Sequence, residues 1–246
     1  MTLLPKLRRI DPFLALSLGC ALLFSVHGSN WGRVECWNPD QTALRRLHRF
    51  RPSAGYTKPP FHTYVARVLV VTPANRLRRL AKLITGRAPR VDQLKFIGAR
   101  ALTIALFIGT VALAFSVARV SFGLVAARLI ALLLGTSAGF AVYNHFLTCD
   151  SPLLFWMMLS LFFARRIVDA PTTANYLFAA ITAGLAGATK YNGIAVAIAL
   201  PAAHLLARGR DRLLSGRFIM ALAMVPIGFV IGCPGAVLEW RRFSTD

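Results

Sequence analysis

The chain has 246 residues, of which 56% are hydrophobic and only 15% are charged. Soluble domains are typically about 45–50% apolar and about 25% charged, so the composition argues against a cytosolic enzyme, a coiled coil or a disordered chain and favours an integral membrane protein. The formal net charge is +20. Because the basic residues stand between long apolar runs, we expect them to meet lipid phosphates and anionic head groups, and no nucleic acid.

Seven apolar runs are candidates for transmembrane helices, which need about 20 mostly apolar residues each. The runs cover residues 11–27, 98–118, 122–143, 152–165, 174–189, 191–207 and 216–234. The sequence therefore predicts an all-α polytopic membrane protein with about seven transmembrane helices, in a single membrane domain over residues 1–246.

The first apolar run also resembles a signal peptide, because Lys6, Arg8 and Arg9 precede it. However, residues 24–28 contain no clear small-x-small cleavage site, and further spans follow. We interpret the run as an uncleaved first helix, with a cleaved signal peptide as the alternative.

The charges of the short loops predict the orientation in the membrane. With the N-terminus inside, the outer segment 144–151 contains no lysine or arginine, as the positive-inside rule requires. The inner segments then contain Lys6, Arg8, Arg9, Arg119, Arg165, Arg166, Arg208, Arg210, Arg212 and Arg217. The long first loop, residues 28–97, is also basic and is predicted to lie outside, since long loops are translocated largely regardless of charge.

An amphipathic pattern runs through residues 76–84 of the first outer loop. The apolar residues recur at helical spacing and the basic residues take the other face, which predicts a helix lying in the head-group plane. The apolar set is Leu77, Leu80, Ala81 and Ile84, and the basic set is Arg76, Arg78, Arg79 and Lys82. The helix is either a plain surface anchor or part of a site for a phosphate-bearing lipid.

Two candidate site residues come from the first outer loop. Lys58 precedes Pro59 and Pro60, which restrict the backbone and hold the lysine on a stiff turn. A lysine in such a position contacts a phosphate as a point charge, although a turn of this kind is common without any function. Asp40 is an acid at the outer boundary with no basic neighbour in sequence.

Three further ionisable residues belong to the outer ends of predicted spans. Asp150 precedes Ser151 and Pro152 and is either a helix N-cap or an acid facing a cavity. Lys190 either snorkels to the interface or contributes to a site. Arg100 lies near the outer end of its span, within reach of the same outer site.

Four stretches, taken in this order, resemble the C-type membrane glycosyltransferases (GT-C). They are residues 38–40 (NPD), 56–61 (YTKPPF), 146–153 (FLTCDSPL) and 184–193 (GLAGATKYNG). The branch they resemble is that of the dolichyl-phosphate-mannose-protein mannosyltransferases, which includes the bacterial lipid A aminoarabinose transferases. No single motif is specific; the resemblance rests on their order, spacing and shared side of the membrane, from about residue 10 to the end.

The resemblance implies a glycosyltransferase that moves a sugar from a polyprenyl-phosphate carrier to a lipid, glycan or protein acceptor at the periplasmic or luminal face, usually with inversion. It implies that Asp40 is the base or positions the acceptor, that Lys58 lies near the carrier phosphate, that Asp150 is an acid near the active centre, and that Lys190 corresponds to a lysine of less certain role. The expected location is the bacterial inner membrane with a periplasmic active site.

The chemistry of these residue types fits independently. A carboxylate can accept the proton of an attacking hydroxyl, and Lys58, Arg100 or Lys190 can stabilise a phosphate leaving group. Whether a divalent metal takes part is left open, because the available ligands lack metal-site spacing. These ligands are Glu35, His48, His62 and His145. A disulfide between Cys36 and Cys149 would be compatible with the topology but has no support from spacing.

Two features depart from the family pattern. Gln41 stands where a second acid often follows Asp40, which weakens an acid-pair or metal role. The chain is also about half the usual length, so we expect it to be the N-terminal half, with the C-terminal part absent. The alternative function is a truncated, non-catalytic membrane protein that retains carrier-lipid binding; a transporter is disfavoured because we see no internal repeat.

Overall fold

A computed structural model describes residues 10–27, 56–144, 148–207 and 214–245, and every regular element in these ranges is helical. The fold class predicted from the sequence is confirmed in this respect. Helix α1 covers Pro12–Val26. A second unit combines α2 (Phe61–Ala66), a π-helical stretch (Arg67–Val71) and α3 (Thr72–Thr85). Helix α3 contains the amphipathic segment that the sequence predicts over residues 76–84.

The membrane bundle continues from residue 92. It consists of α4 (Asp92–Phe122), α5 (Leu124–Gly135), α6 (Ala138–Asn144), α7 (Asp150–Asp169), α8 (Thr173–Thr189), a 3-10 helix (Tyr191–Ile198), α9 (Ala199–Leu206) and α10 (Gly216–Gly232). Two short helices follow, α11 (Gly235–Leu238) and α12 (Trp240–Phe243).

By length and composition, two of these helices, α4 and α7, are able to cross a membrane. The pair α5–α6 would be a third, although its two halves are bent by 50°. Other apolar helices of the described chain are shorter, for example α1 with 15 residues and α10 with 17. The number of seven spans is therefore not confirmed and stays a prediction.

Several boundaries differ from the predicted spans. The span predicted at 98–118 belongs to a helix of 31 residues, which ends at Gly123 because this residue has φ 89°, a value that glycine adopts readily. The span predicted at 122–143 is interrupted between Gly135 and Ala138. The span predicted at 191–207 begins as a 3-10 helix.

Helices α8 and α10 meet at backbone contact. A Cβ atom added to Gly184 would lie 2.2 Å from the carbonyl oxygen of Val225, and one added to Gly228 would lie 2.5 Å from that of Ile181. Only glycine allows this approach from both sides. This close helix contact fixes the position of the residues that follow α8.

Polar contacts divide the bundle into two ends. At one end, Ser25 accepts a hydrogen bond from Asn144, which accepts one from Ser151. These residues lie at the end of α1, the end of α6 and the start of α7. At the opposite end, Asp11 before α1 pairs with Arg128 of α5 at 2.9 Å.

Candidate functional site

The centre of the candidate site is an ion pair between α7 and the end of α8. The Nζ atom of Lys190 lies 2.9 Å from Oδ1 of Asp150, and the two side chains are 36% and 30% exposed. Asp150 is the first residue of α7 and Cys149 precedes it as N-cap, so the N-cap role predicted for Asp150 is wrong by one position. The carboxylate is directed to Lys190, which caps α8 in extended conformation.

The 56–61 segment of the first outer loop is docked at this end of the bundle. Tyr191, next to Lys190, donates a hydrogen bond of 2.5 Å to the backbone oxygen of Tyr56. Tyr56 in turn donates one of 3.1 Å to Glu239. At the other end of the segment, the ring of Phe61 lies 5.3 Å from that of Trp156. Both ends of the segment are therefore held by the bundle.

Tyr56 is 2% exposed and fills the space over Gly235, where an added Cβ would lie 1.9 Å from the hydroxyl. Burial, followed by the hydrogen bond to Glu239, raises the pKa of Tyr56 to about 12. The phenol therefore stays protonated and keeps donating to the carboxylate at physiological pH. This contact ties the first outer loop to the segment after α10.

Lys58 extends from the docked segment as an exposed side chain. Its charge acts on the thiol of Cys149, together with the charges of Asp150 and Lys190. Burial is the main reason why the pKa of Cys149 is raised; Asp150 adds to this effect, whereas Lys190 and Lys58 oppose it. Because Tyr191 binds Tyr56, two positions before Lys58, Lys58 lies at the same end of the bundle as Asp150 and Lys190.

Arg100 and Asp40 are the two other residues that the sequence predicts for the site. Arg100 lies on α4, is 3% exposed and stacks over the ring of Phe96 at 4.2 Å. Asp40 lies outside the described residues. The arrangement around these two residues stays a prediction.

Sequence reasoning missed the contacts that hold the site in place. Tyr191 and Glu239 fix the docked segment, and Asn144 fixes the start of α7 through Ser151. Asn144 is fully buried. A signal was available in two cases, because an amide at the end of an apolar run and an acid shortly after the last apolar run both tend to need polar partners.

The described part of the chain contains no group of three or more His, Cys, Asp or Glu side chains that could hold a metal ion. His62 lies in α2 and is buried, and burial lowers its pKa to about 4. Cys149 is a free thiol. Glu35, Cys36, His48 and His145, also considered in the sequence, lie outside the described residues.

The chain was compared with known proteins. A family model described as dolichyl-phosphate-mannose-protein mannosyltransferase matches residues 91–235, which is more than half of the chain. The matched region contains Arg100, Asp150 and Lys190, whereas Asp40 and Lys58 precede it. No curated protein matches the chain, and neither does any solved structure.

Proposed function

Because the chain belongs to the dolichyl-phosphate-mannose-protein mannosyltransferase family, a family of membrane glycosyltransferases, we propose that it transfers a sugar from a polyprenyl-phosphate carrier to a lipid, glycan or protein acceptor. The branch we propose is the one that includes the aminoarabinose transferases. The observation that carries the proposal is the convergence of Lys58, Asp150 and Lys190, from three separate stretches, at one end of the bundle.

The charges of this group suit a sugar phosphate. Lysine ammonium groups bind phosphate oxygens and stabilise the negative charge that grows on a leaving phosphate, and Lys58 and Lys190 supply two of them. Since Asp150 and Lys190 are each about one-third exposed, a substrate can reach both side chains from outside the bundle.

In the proposed reaction, a hydroxyl of the acceptor attacks the anomeric carbon. The bond between this carbon and the phosphate oxygen breaks, a glycosidic bond forms on the opposite face, and polyprenyl phosphate leaves. Asp40 or Asp150 accepts the proton of the hydroxyl, a step to which a positioned carboxylate contributes typically about 10²–10⁴-fold in rate. Lys58 and Lys190 hold the phosphate, and Arg100 is assigned to the same outer region.

The proposal includes the membrane topology. We propose seven spans, in which α1, the bent pair α5–α6, α8, α9 with the 3-10 helix before it, and α10 complete the bundle around α4 and α7. The end that contains Asp150 and Lys190 faces the periplasm, and the bilayer is the bacterial inner membrane. The separation of polar contacts to the two ends supports this arrangement, because Arg128, Arg165 and Arg217 gather at the end opposite to Lys190.

The proposal is tested by sugar transfer in membranes that contain the chain. Radiolabelled polyprenyl-phosphate mannose and polyprenyl-phosphate aminoarabinose are supplied as donors, with membrane lipids, glycans and proteins as acceptors. We expect transfer by the unmodified chain and none by Asp40→Asn, with equal amounts of folded protein. Full activity of Asp40→Asn would overturn the role of Asp40, and donor binding without any transfer would favour the non-catalytic alternative.

A further inference from the structure

A groove lies between α3 and the start of α4, and neither Asp150 nor Lys190 lines it. It has a volume of about 450 Å³. Its walls are mainly apolar and include two arginines. The lining residues are Leu77, Arg78, Leu80, Ala81, Ile84, Pro89, Arg90, Val91 and Leu94.

The apolar walls of the groove are open to the surroundings. Leu77 is 57% exposed, Leu80 54%, Ile84 75% and Leu94 50%. An exposed apolar surface of this kind on a membrane protein faces hydrocarbon. Since α4 is long and apolar enough to cross the membrane, the groove lies where the interfacial helix meets the start of a span.

The charge around the groove is mainly positive, and the acid beside it, Asp92, pairs with Lys95 at 3.3 Å. No acidic residue occurs between Asp40 and Asp92, whereas the segment 61–91 contains basic residues at many positions. These are Arg67, Arg76, Arg78, Arg79, Lys82, Arg87 and Arg90. Basic residues next to an apolar surface attract the anionic head groups of lipids and bind their phosphates.

We infer that this groove binds an anionic glycerophospholipid of the bilayer, with an acyl chain along Leu77, Leu80 and Leu94 and the head-group phosphate at Arg78 and Arg90. Both arginines line the groove and are exposed, so they are available to a phosphate at its rim. The bound lipid would fix α3 against the start of α4. This inference does not depend on the proposed glycosyl transfer.

The test uses the full chain, purified in an uncharged detergent, with phosphatidylglycerol or phosphatidylcholine added. Bound lipid is counted by native mass spectrometry, and the thermal unfolding midpoint is recorded. We expect phosphatidylglycerol to bind more tightly and to raise the midpoint. Removing both charges at the rim by Arg78→Gln and Arg90→Gln should weaken its binding about 30-fold, since each basic residue near an anionic lipid is worth roughly a factor of five.

Matched controls come from the same helix. Arg76→Gln with Arg79→Gln removes the same charge from residues that do not line the groove, and this pair should keep most of the affinity. Leu80→Asn should weaken lipid binding, whereas Leu83→Asn should not, because Leu83 is 83% exposed but is not part of the lining. If the double variant is too unstable to purify, Arg90→Gln alone provides the measurement, with Arg87→Gln as its control.

Four results would overturn the inference. Equal binding of the two phospholipids would remove the charge selectivity, and equal losses in the lining and control pairs would reduce the effect to general surface charge. The same stabilisation by inorganic phosphate alone would exclude a lipid site. Displacement of phosphatidylglycerol by an equal concentration of polyprenyl phosphate would assign the groove to the carrier.

Discussion

Lys190 and Asp150 are 40 positions apart in sequence, yet their side chains form an ion pair of 2.9 Å. The pair joins the start of α7 to the residue that ends α8. Because Tyr191, the next residue, binds the backbone of Tyr56, the same junction also holds the first outer loop. Residues 190 and 191 therefore connect the start of α7, the end of α8 and the docked segment 56–61.

Lys190→Met should impair donor binding. The variant removes a positive charge from the proposed phosphate site, so we expect a rise in KM for the donor of about tenfold, as charge-assisted hydrogen bonds are worth roughly 1.5–3 kcal/mol. The change in unfolding free energy should stay within about 1 kcal/mol, because the pair is partly exposed. Steady-state kinetics and thermal unfolding measure the two effects.

The control for Lys190 is Arg165→Met. Arg165 forms an ion pair with Asp169 at the same distance of 2.9 Å, but at the opposite end of α7. Its loss should leave KM unchanged. Equal kinetic effects of the two variants would mean that ion pairs act on the bundle as a whole and would argue against a phosphate site at Lys190.

Tyr191→Phe should loosen the docked segment. The variant deletes the hydrogen bond to the backbone oxygen of Tyr56, which is worth about 0.5–1.5 kcal/mol, and so allows Lys58 to move. We expect KM for the donor to rise severalfold while kcat changes little. Tyr176→Phe is the control, since it deletes a buried hydroxyl contact to His204 far from Lys190; a similar rise in KM there would contradict a positioning role.

Gly184→Ala should destabilise the bundle strongly. The new methyl group would lie 2.2 Å from the oxygen of Val225 and 2.5 Å from the nitrogen of Phe229, and backbone cannot yield locally. Overpacking of this kind typically costs about 1–3 kcal/mol, occasionally more. Gly216→Ala is the control, because no atom lies within 4 Å of its added Cβ. Thermal unfolding in detergent should separate the two, and equal midpoints would refute the close contact of α8 and α10.

His62 should make the stability of the chain depend on pH. Burial lowers the pKa of His62 from 6.5 to about 4, so the unfolded chain binds a proton between these values while the folded chain does not. Stability is therefore greatest above about pH 6.5 and falls as the pH decreases toward 4. The difference in unfolding free energy between the unmodified chain and His62→Gln should shrink over this range; a constant difference would contradict the buried neutral histidine.

Hydrophobic length and amphipathic spacing predict much of the fold. Helix α3 contains the predicted segment 76–84, and α7 and α8 begin within two residues of their predicted spans. The break between α5 and α6 was not predicted, because it contains only two small polar residues, Thr136 and Ser137, inside a long apolar run. The 3-10 geometry after Lys190 was also missed. Gly193 in this helix packs against the backbone of Ala186, a contact that no local pattern encodes.

The parity of the spans predicts that Lys58, Asp150 and Lys190 share one side of the membrane, and the structure brings the three to one end of the bundle. Parity alone could not predict that Lys190 pairs with Asp150, because this pairing depends on where α8 ends relative to α7. The contacts of Tyr56 with Tyr191 and Glu239 could not be predicted either, because 135 and 183 positions separate the partners in sequence.

The most direct test of the proposed site is the initial rate of sugar transfer for Asp150→Asn. The substitution preserves the shape of the side chain and removes only its charge, and Asp169→Asn serves as the control at the other end of α7. If Asp150 acts at the reacting sugar, the transfer rate of the Asp150→Asn variant should fall by about 10²–10⁴-fold. Donor binding and the unfolding midpoint of this variant should be nearly unchanged. A rate equal to that of the unmodified chain would contradict the site.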